Sequence, residues 1–584
     1  MPRQSNYEKF PTVNVPDSVG QAVSGWAEVL ARLTSASLGK RVLVVETYPG
    51  VIDDDILPRL RSAFPAAQLI TTDAAFLPPA VIEALVAPDV TDDPVFGRLS
   101  LLTLDQFFDT QKLAAIGKQI SANTLTIVYG VGACLLHPPA PDDLLVYADM
   151  ARWELQLRQR QKRIGNLAAA NHAAGNWYKY KRAFFVDWRA ADRLKRQLFP
   201  RIDFFLDTHT AATPKLAAAA AVRAGLAHAT TRPFRVVPFF DPGVWGGQWM
   251  KEVCDLDRSA VNYAWCFDCV PEENSLLLSI GGVRVEIPSI NLLFEHPRRL
   301  LGENVYARFG NEFPIRFDFL DTMGGGNLSL QVHPLTDYIR QHFNMPYTQD
   351  ESYYMLDAAD GACVYLGFRD NVSPTEFFSA LQNAQSNPAA PLDAGKFVNM
   401  IPAKKHDHFL IPAGTIHCSG SGSMVLEISA TPYIFTFKLW DWSRLDLDGK
   451  PRPISLRHGA ANLQYDRDTA WTHANLVNRF EDLPPGDGWT EQRTGLHPSE
   501  FIETRRHFFT KPVTHDTGGQ HTGGVNVLNL IEGASATVSS PTHAFAPFEV
   551  HYAETWIVPA AVGKYVVTPA SGEKCGTLKA FVRT

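Results

Sequence analysis

The 584-residue chain is 45% hydrophobic, and its 54 basic and 61 acidic residues give a formal charge of −7. That length exceeds what one hydrophobic core sustains, so two to four globular domains are expected. The charges are interspersed without a basic block to track a phosphate backbone, and no apolar run reaches the length of a membrane span, so neither nucleic acid nor a bilayer is an expected partner.

The opening segment MPRQSNYEKFPTV lacks the apolar core of a signal peptide, and the expected location is cytoplasmic. Up to residue 232, apolar runs (RVLVVET, LTIVYGVGA, LLVYADM, AFFVDW, IDFFLDT) alternate with amphipathic stretches such as VSGWAEVLARLTSA and RAADRLKRQLF. Strands apolar throughout, each followed by a helix, predict an α/β domain whose parallel sheet is covered on both faces. The turn after the first strong strand, VVETYPGVIDDDI, contains neither GxxxxGK[ST] nor GxGxxG, and Asp53, Asp54 and Asp55 would repel a polyphosphate. Nucleotide binding by this domain is therefore not expected; the functional alternative is an unusual site built on Glu46, Tyr48 and Gly50.

From residue 233 the texture changes to short strands punctuated by Gly and Pro, with a helical insert at SPTEFFSALQNA, which predicts a mostly β domain over 233–460. Cys266 and Cys269 (CFDC) have no second pair at zinc-ribbon distance and read as reduced structural thiols. Residues 461–584 read as a further small β domain, with strands in GVNVLNLIEG and ETWIVPAAVGKYVVTPA and no cluster of chemically active residues.

In NLSLQVHP the pleat sends Leu328, Leu330 and Val332 to one face and Ser329, Gln331 and His333 to the other. Downstream, Glu351 heads the strand ESYYMLDA and His417 follows the turn PAGTIH. Strands of a small barrel can aim such side chains at one interior point, so Gln331, His333, Glu351 and His417 are a candidate donor set for a divalent cation. The competing reading is a core histidine satisfied by ordinary hydrogen bonds.

FLDTMGGGNLSLQVHP, DESYYMLDAADGACVYLGF, FLIPAGTIHCSGSGSMVLEIS and KLWDWSRLDLDGKPRPISL together resemble the corresponding blocks of the type I phosphomannose isomerases of the cupin superfamily, over about residues 235–584. The resemblance implies cupin (jelly-roll) domains, one catalytic zinc or other divalent metal per chain held by Gln331, His333, Glu351 and His417, and a sugar phosphate substrate. Glu427, alternating with Leu426 and Ile428 in SMVLEIS, is the favoured proton-transfer base, with orientation of a ligand as its alternative role. Where that family carries basic residues, this chain has Asp318, Gln349 and Lys438. The cations left to hold a phosphate are Lys438, Arg444, Arg316, Lys404 and Lys405, and the catalytic set is read as Glu427, Lys438 and Arg444. His406 and His408 are expected in a solvated turn. Three functions follow: a mannose-6-phosphate isomerase, an isomerase or epimerase for another or unphosphorylated sugar, or a non-catalytic metal-bound sugar sensor. The N-terminal region more diffusely resembles P-loop kinases of the uridine kinase and phosphoribulokinase type, lacking the Walker A loop.

Overall fold

The apolar runs of the N-terminal third form the middle of a seven-stranded sheet in the computed structural model, which describes residues 5–387, 389–447, 449–495, 497–519, 523–570 and 572–583. Val42–Thr47 lies at the centre of five parallel strands in the order Gln68–Thr71, Thr126–Gly130, Val42–Thr47, Leu144–Asp149, Phe204–Asp207. Lys215–Ala218 and Ala22–Ser24 extend the sheet antiparallel. Val42 to Val45 are at most 1% exposed, the burial that a sheet covered on both faces demands.

One run expected as a strand folds otherwise. AFFVDW lies in a continuous helical segment, a π-turn at Ala183–Asp187 between the helices Asn176–Arg182 and Trp188–Leu198. Phe184, Phe185 and Val186 are fully buried there. A helix turn enclosed on all sides reads as apolar throughout, as a buried strand does, and periodicity alone does not separate the two.

The chain divides into two compact units that interleave in sequence. One comprises Thr12–Ala229 and Glu273–Glu295; the other comprises the residues up to Pro11, Thr230–Glu272 and everything from His296 onward. The segment Glu273–Glu295 thus lies within the expected second domain by number and within the N-terminal unit by packing. Its strands Ser275–Ile280 and Val283–Pro288 form a three-stranded sheet with Thr12–Val15, which runs parallel to the former.

The other unit contains two β-sandwiches. In the first, a six-stranded sheet includes Arg316–Asp321, Glu351–Ala358, His408–Ile411 and Ser423–Ser429, and a five-stranded sheet includes Leu330–Val332, Cys363–Phe368, His417–Ser419 and Phe437–Trp440. The helical insert is Pro374–Ser386, capped by the Ser373 hydroxyl. In the second, a six-stranded sheet (with Trp489–Gly495, Ile502–Phe509, Asn526–Glu532, Thr555–Val558 and Cys575–Val582) and a four-stranded sheet (with Val513–Asp516 and Lys564–Pro569) share one apolar core around Trp556, Leu528 and Val567. Cys266 and Cys269 are buried free thiols on the strand Trp265–Cys269.

Candidate metal centre

The pleat of NLSLQVHP does what its alternation predicts: Gln331 and His333 face the interior of the first sandwich, toward His417 and Glu351. In the ladder, Gln331 lies opposite both His417 and Lys438. His333 Nε2 is 3.0 Å from Glu351 Oε1, and His417 Nε2 is 2.9 Å from the same oxygen. Gln331 Nε2 lies 3.2 Å from His417 Nε2 and is placed to donate to it. His333, Glu351 and His417 are at most 2% exposed.

Hydrogen bonding on the far side of each ring decides what converges here. His333 Nδ1 is 2.9 Å from the carbonyl oxygen of Phe435, and His417 Nδ1 is 2.9 Å from that of Thr415. A carbonyl only accepts, so each Nδ1 carries a hydrogen and each ring turns its Nε2 toward the Glu351 carboxylate, as a lone pair when the ring is neutral. Two lone pairs and a carboxylate oxygen repel unless a positive charge, either a proton on one ring or a bound cation, lies between them. His333 Nε2 and Glu351 Oε1 are buried and without a hydrogen-bond partner among the described residues, and the candidate donor atoms of the three residues lie within 4.8 Å of one another. This is a donor set a divalent cation takes, and the Gln331 amide, turned over from the orientation in which Nε2 faces His417, would bring its oxygen as a fourth.

Without a cation, Glu351 and His333 stabilise each other's charged forms. Burial would raise the Glu351 carboxyl, but the adjacent His333 outweighs it and holds Glu351 well below the usual range. Burial lowers His333, and Glu351 more than offsets it, leaving His333 raised; in His417 burial prevails and the ring is lowered. The second Glu351 oxygen accepts from Gln349 Nε2 at 3.0 Å, while Gln349 Oε1 accepts from the Phe435 amide at 2.7 Å, which fixes the Gln349 side chain.

Glu427 faces the same interior, opposite Tyr353 on one neighbouring strand and Asp318 on the other. Burial first, then Asp318 and Glu351, raise its carboxyl well above the ordinary value. Asp318 is paired with Arg316 Nε at 3.3 Å. Lys438 extends from the opposite sheet, and burial together with the charge of Arg452 lowers its ammonium to about 7. One further inward position along the strand, the Ser329 hydroxyl donates to Asp441 at 2.9 Å. Asp441 also pairs with Arg444 Nη2 at 2.7 Å and Arg452 Nη1 at 3.0 Å. Lys438, Arg444 and Arg452 therefore gather beside the centre on one side. Sequence reasoning missed Ser329, Arg452 and the clamping role of Gln349; of these only Ser329 carried a local signal, its shared pleat with Gln331.

Other candidates are placed elsewhere. Lys405 Nζ pairs with Glu532 at 2.7 Å, and His406 Nε2 is 3.2 Å from the same residue. His408 is not in a solvated turn: it is fully buried in the strand His408–Ile411. Opposite Tyr354 in the ladder, it lies on the sheet face away from Glu351. In the N-terminal unit, Glu46 accepts from the amides of Gly132 at 2.6 Å and Cys134 at 2.7 Å, and Tyr48 donates to Asp192. The second sandwich, expected to hold no chemical cluster, brings partly exposed Glu491 and buried His507, His515 and Lys579 close together.

Comparison with known proteins adds the following. A family model described as a domain of unknown function (DUF8485) matches residues 25–231. Mannose-6-phosphate isomerase ManA of Bacillus subtilis (strain 168) is 25% identical over 229 residues, 39% of this chain and 67% of that protein. Mannose-6-phosphate isomerase of Streptococcus mutans is 27% identical over 215 residues, 36% of this chain and 62% of that protein. The chain thus spans about two thirds of the length of these curated relatives. The crystal structure of the mannose 6-phosphate isomerase from Bacillus subtilis superposes with a TM-score of 0.49 at 18% identity, covering 60% of this chain and 99% of that one.

Proposed function

We propose that the chain is a metal-dependent aldose–ketose isomerase that interconverts mannose 6-phosphate and fructose 6-phosphate. The observation that carries this reading is the convergence of two imidazole Nε2 atoms and one carboxylate oxygen on a single buried point; similarity to proteins named mannose-6-phosphate isomerase supports it.

Isomerisation moves a proton between the two carbons that exchange carbonyl and hydroxyl. A divalent cation held by Gln331, His333, Glu351 and His417 supplies Lewis-acid polarisation of a sugar oxygen; zinc suits the site, and manganese, iron or cobalt are compatible with nitrogen and oxygen donors. Glu427 and Lys438 reach the interior from opposite sheets and are the proton carriers we assign. Glu427, its carboxyl raised by burial and by Asp318 and Glu351, holds a proton to give; a cation held by the four ligands would supply charge that offsets those carboxylates. Lys438, lowered to about 7, exchanges a proton near neutrality. Arg444 and Arg452, at the Ser329 and Asp441 end, bind the phosphate. Ser329 is two residues from Gln331, roughly 7 Å along an extended strand, a distance matching that from the reacting end of an open hexose to its 6-phosphate.

A second reading rests on one observation: Asp441 already pairs with both Arg444 and Arg452, which leaves less net charge for a phosphate. It assigns an unphosphorylated sugar to the same centre. Assaying metal-loaded protein on mannose 6-phosphate and on free mannose decides between them. We expect turnover of the phosphate ester, with kcat/KM at least tenfold lower in Arg452→Met; turnover of the free sugar alone supports the second reading, and inertness toward every aldose–ketose pair with metal bound contradicts both.

The N-terminal unit we read as a kinase-like scaffold without a phosphate loop. What supports this reading is that Glu46, near the end of the central parallel strand, accepts from the amides of Gly132 and Cys134, which are then not free to hold a phosphate.

A further inference from the structure

In the seam between the two sandwiches, which belong to one unit, lies a narrow cavity with room for a single water-sized sphere. The pleat that turns Glu351 toward the two imidazoles turns Ser352 the opposite way, and Asp350 and Ser352 line the cavity from the first sandwich. Glu500 and Thr504 line it from the second, Glu500 just ahead of the strand Ile502–Phe509 and Thr504 on it. Aliphatic side chains and the backbone close the rest.

The two carboxyl groups in this cavity are poorly compensated. Glu500 is 7% exposed, and its Oε1 is buried and without a hydrogen-bond partner among the described residues. Asp350, 8% exposed, accepts from the Ala413 amide at 2.8 Å. The charges of Arg467 and Arg583 are felt here, but their hydrogens go elsewhere: Arg467 donates to the Pro412 carbonyl and the Thr415 hydroxyl, and Arg583 to the backbone carbonyls of His497 and Glu500. Burial, then the Asp350 charge, raise the Glu500 carboxyl well above its ordinary value, with Glu351 adding to the rise and Arg583 and Arg467 opposing it. Two carboxylates that face one small space need a positive charge between them, either a shared proton or a cation. Ser352 and Thr504 favour the cation, because they add hydroxyl oxygens that a shared proton does not require. The Thr504 hydroxyl, 3.1 Å from that of Thr494, keeps a lone pair in either sense of that bond. Carboxylate and hydroxyl oxygens from both sandwiches are the surroundings a hard cation takes. Magnesium keeps several of its waters, for which a cavity of this size has no room; calcium, sodium and potassium release theirs more readily.

We propose that this cavity binds one hard cation stripped of its water shell, calcium by charge balance, held by Glu500 and Asp350 with the hydroxyls of Ser352 and Thr504, and that the ion ties the second sandwich to the strand that carries Glu351. The proposal is independent of the isomerase reading, because none of the four residues assigned to the metal centre supplies a side-chain ligand here.

Thermal unfolding of the full chain tests it, on protein loaded with zinc, exchanged into choline chloride and supplied with calcium, sodium, potassium or magnesium chloride at constant ionic strength. The expected result is a saturable rise in Tm with calcium, at least tenfold weaker with magnesium, since an ion that binds only the folded state stabilises it. A rise with sodium or potassium alone identifies a monovalent occupant of the same oxygens. The response is expected to weaken at least tenfold in Glu500→Gln and to persist in the doubly substituted His333→Ala, His417→Ala protein, which separates this site from the metal centre. Should Glu500→Gln not fold, equilibrium dialysis with the responding cation is expected to give one equivalent in wild type, bound at least tenfold more weakly in Ser352→Ala. No saturable response, magnesium acting as strongly as calcium, a response unchanged in the folded variants, or its loss in the double histidine variant overturns the proposal.

Discussion

Two backbone carbonyls, those of Phe435 and Thr415, set the chemistry of the candidate metal centre by fixing the tautomers of His333 and His417. Gln349 then does for Glu351 what the carbonyls do for the rings. Its amide donates to the outer carboxylate oxygen and is itself held by the Phe435 amide, so the inner oxygen stays directed at both imidazoles. Groups that orient metal ligands in this way typically contribute about 10–100-fold in metal affinity. Gln349→Met, similar in length but unable to donate or accept strongly, is therefore expected to weaken zinc binding by that order in competition with a chelator, while Gln349→Glu adds a charge that repels Glu351 and weakens it further. Affinity unchanged in Gln349→Met means that Glu351 is oriented by something else.

At the scale of the element, the strands that carry the site were legible because their pleat alternates: Ser329, Gln331 and His333 on one face, Glu427 opposite to Leu426 and Ile428. Arg452 was not, since it lies beyond the strand Phe437–Trp440 and only the fold brings it to Ser329 and Asp441. The run AFFVDW was misread because a wholly buried helix turn carries no amphipathic signature. The inner face of the second sandwich escaped notice because Glu491, His507, His515 and Lys579 come from four strands, with Lys579 far from the others in sequence. Glu46, at the end of the central parallel strand, supplies a test of that element. Burial raises its carboxyl from the ordinary 4.5 to about 7 despite two amide donors. The folded unit therefore holds this proton more tightly than the unfolded chain, a contribution fully present below pH 4.5 and lost as pH rises through 7. At about 1.4 kcal/mol for each tenfold change the loss is roughly 3 kcal/mol. Urea unfolding at pH 4.5 and pH 7.5 is expected to show wild type losing about that much more stability than Glu46→Gln; parallel pH profiles contradict it.

For the whole molecule, the interleaving of the two units matters more than the order of domains along the chain. The N-terminal unit is completed by Glu273–Glu295: Tyr180 and Gln156 donate to the Glu273 carboxylate, Asn291 Nδ2 donates to Asp149 at 2.8 Å, and Leu276, Leu278, Ile280, Val285, Ile287 and Leu292 are buried. Residues 1–232 expressed alone lose those partners and expose the apolar faces they cover, each buried aliphatic side chain being worth roughly 1.5–3 kcal/mol. Such a fragment is expected to show no cooperative thermal transition, and a sharp transition in it would mean that the unit does not depend on the later segment. The broader claim is that four side chains from three separate segments meet at one cation, and metal content tests it most directly. Wild-type protein loaded with zinc and exhaustively dialysed is expected to retain about one equivalent by atomic emission, and the doubly substituted His333→Ala, His417→Ala protein, folded by circular dichroism, to retain none. One equivalent retained in the double variant, or none in wild type, contradicts the account.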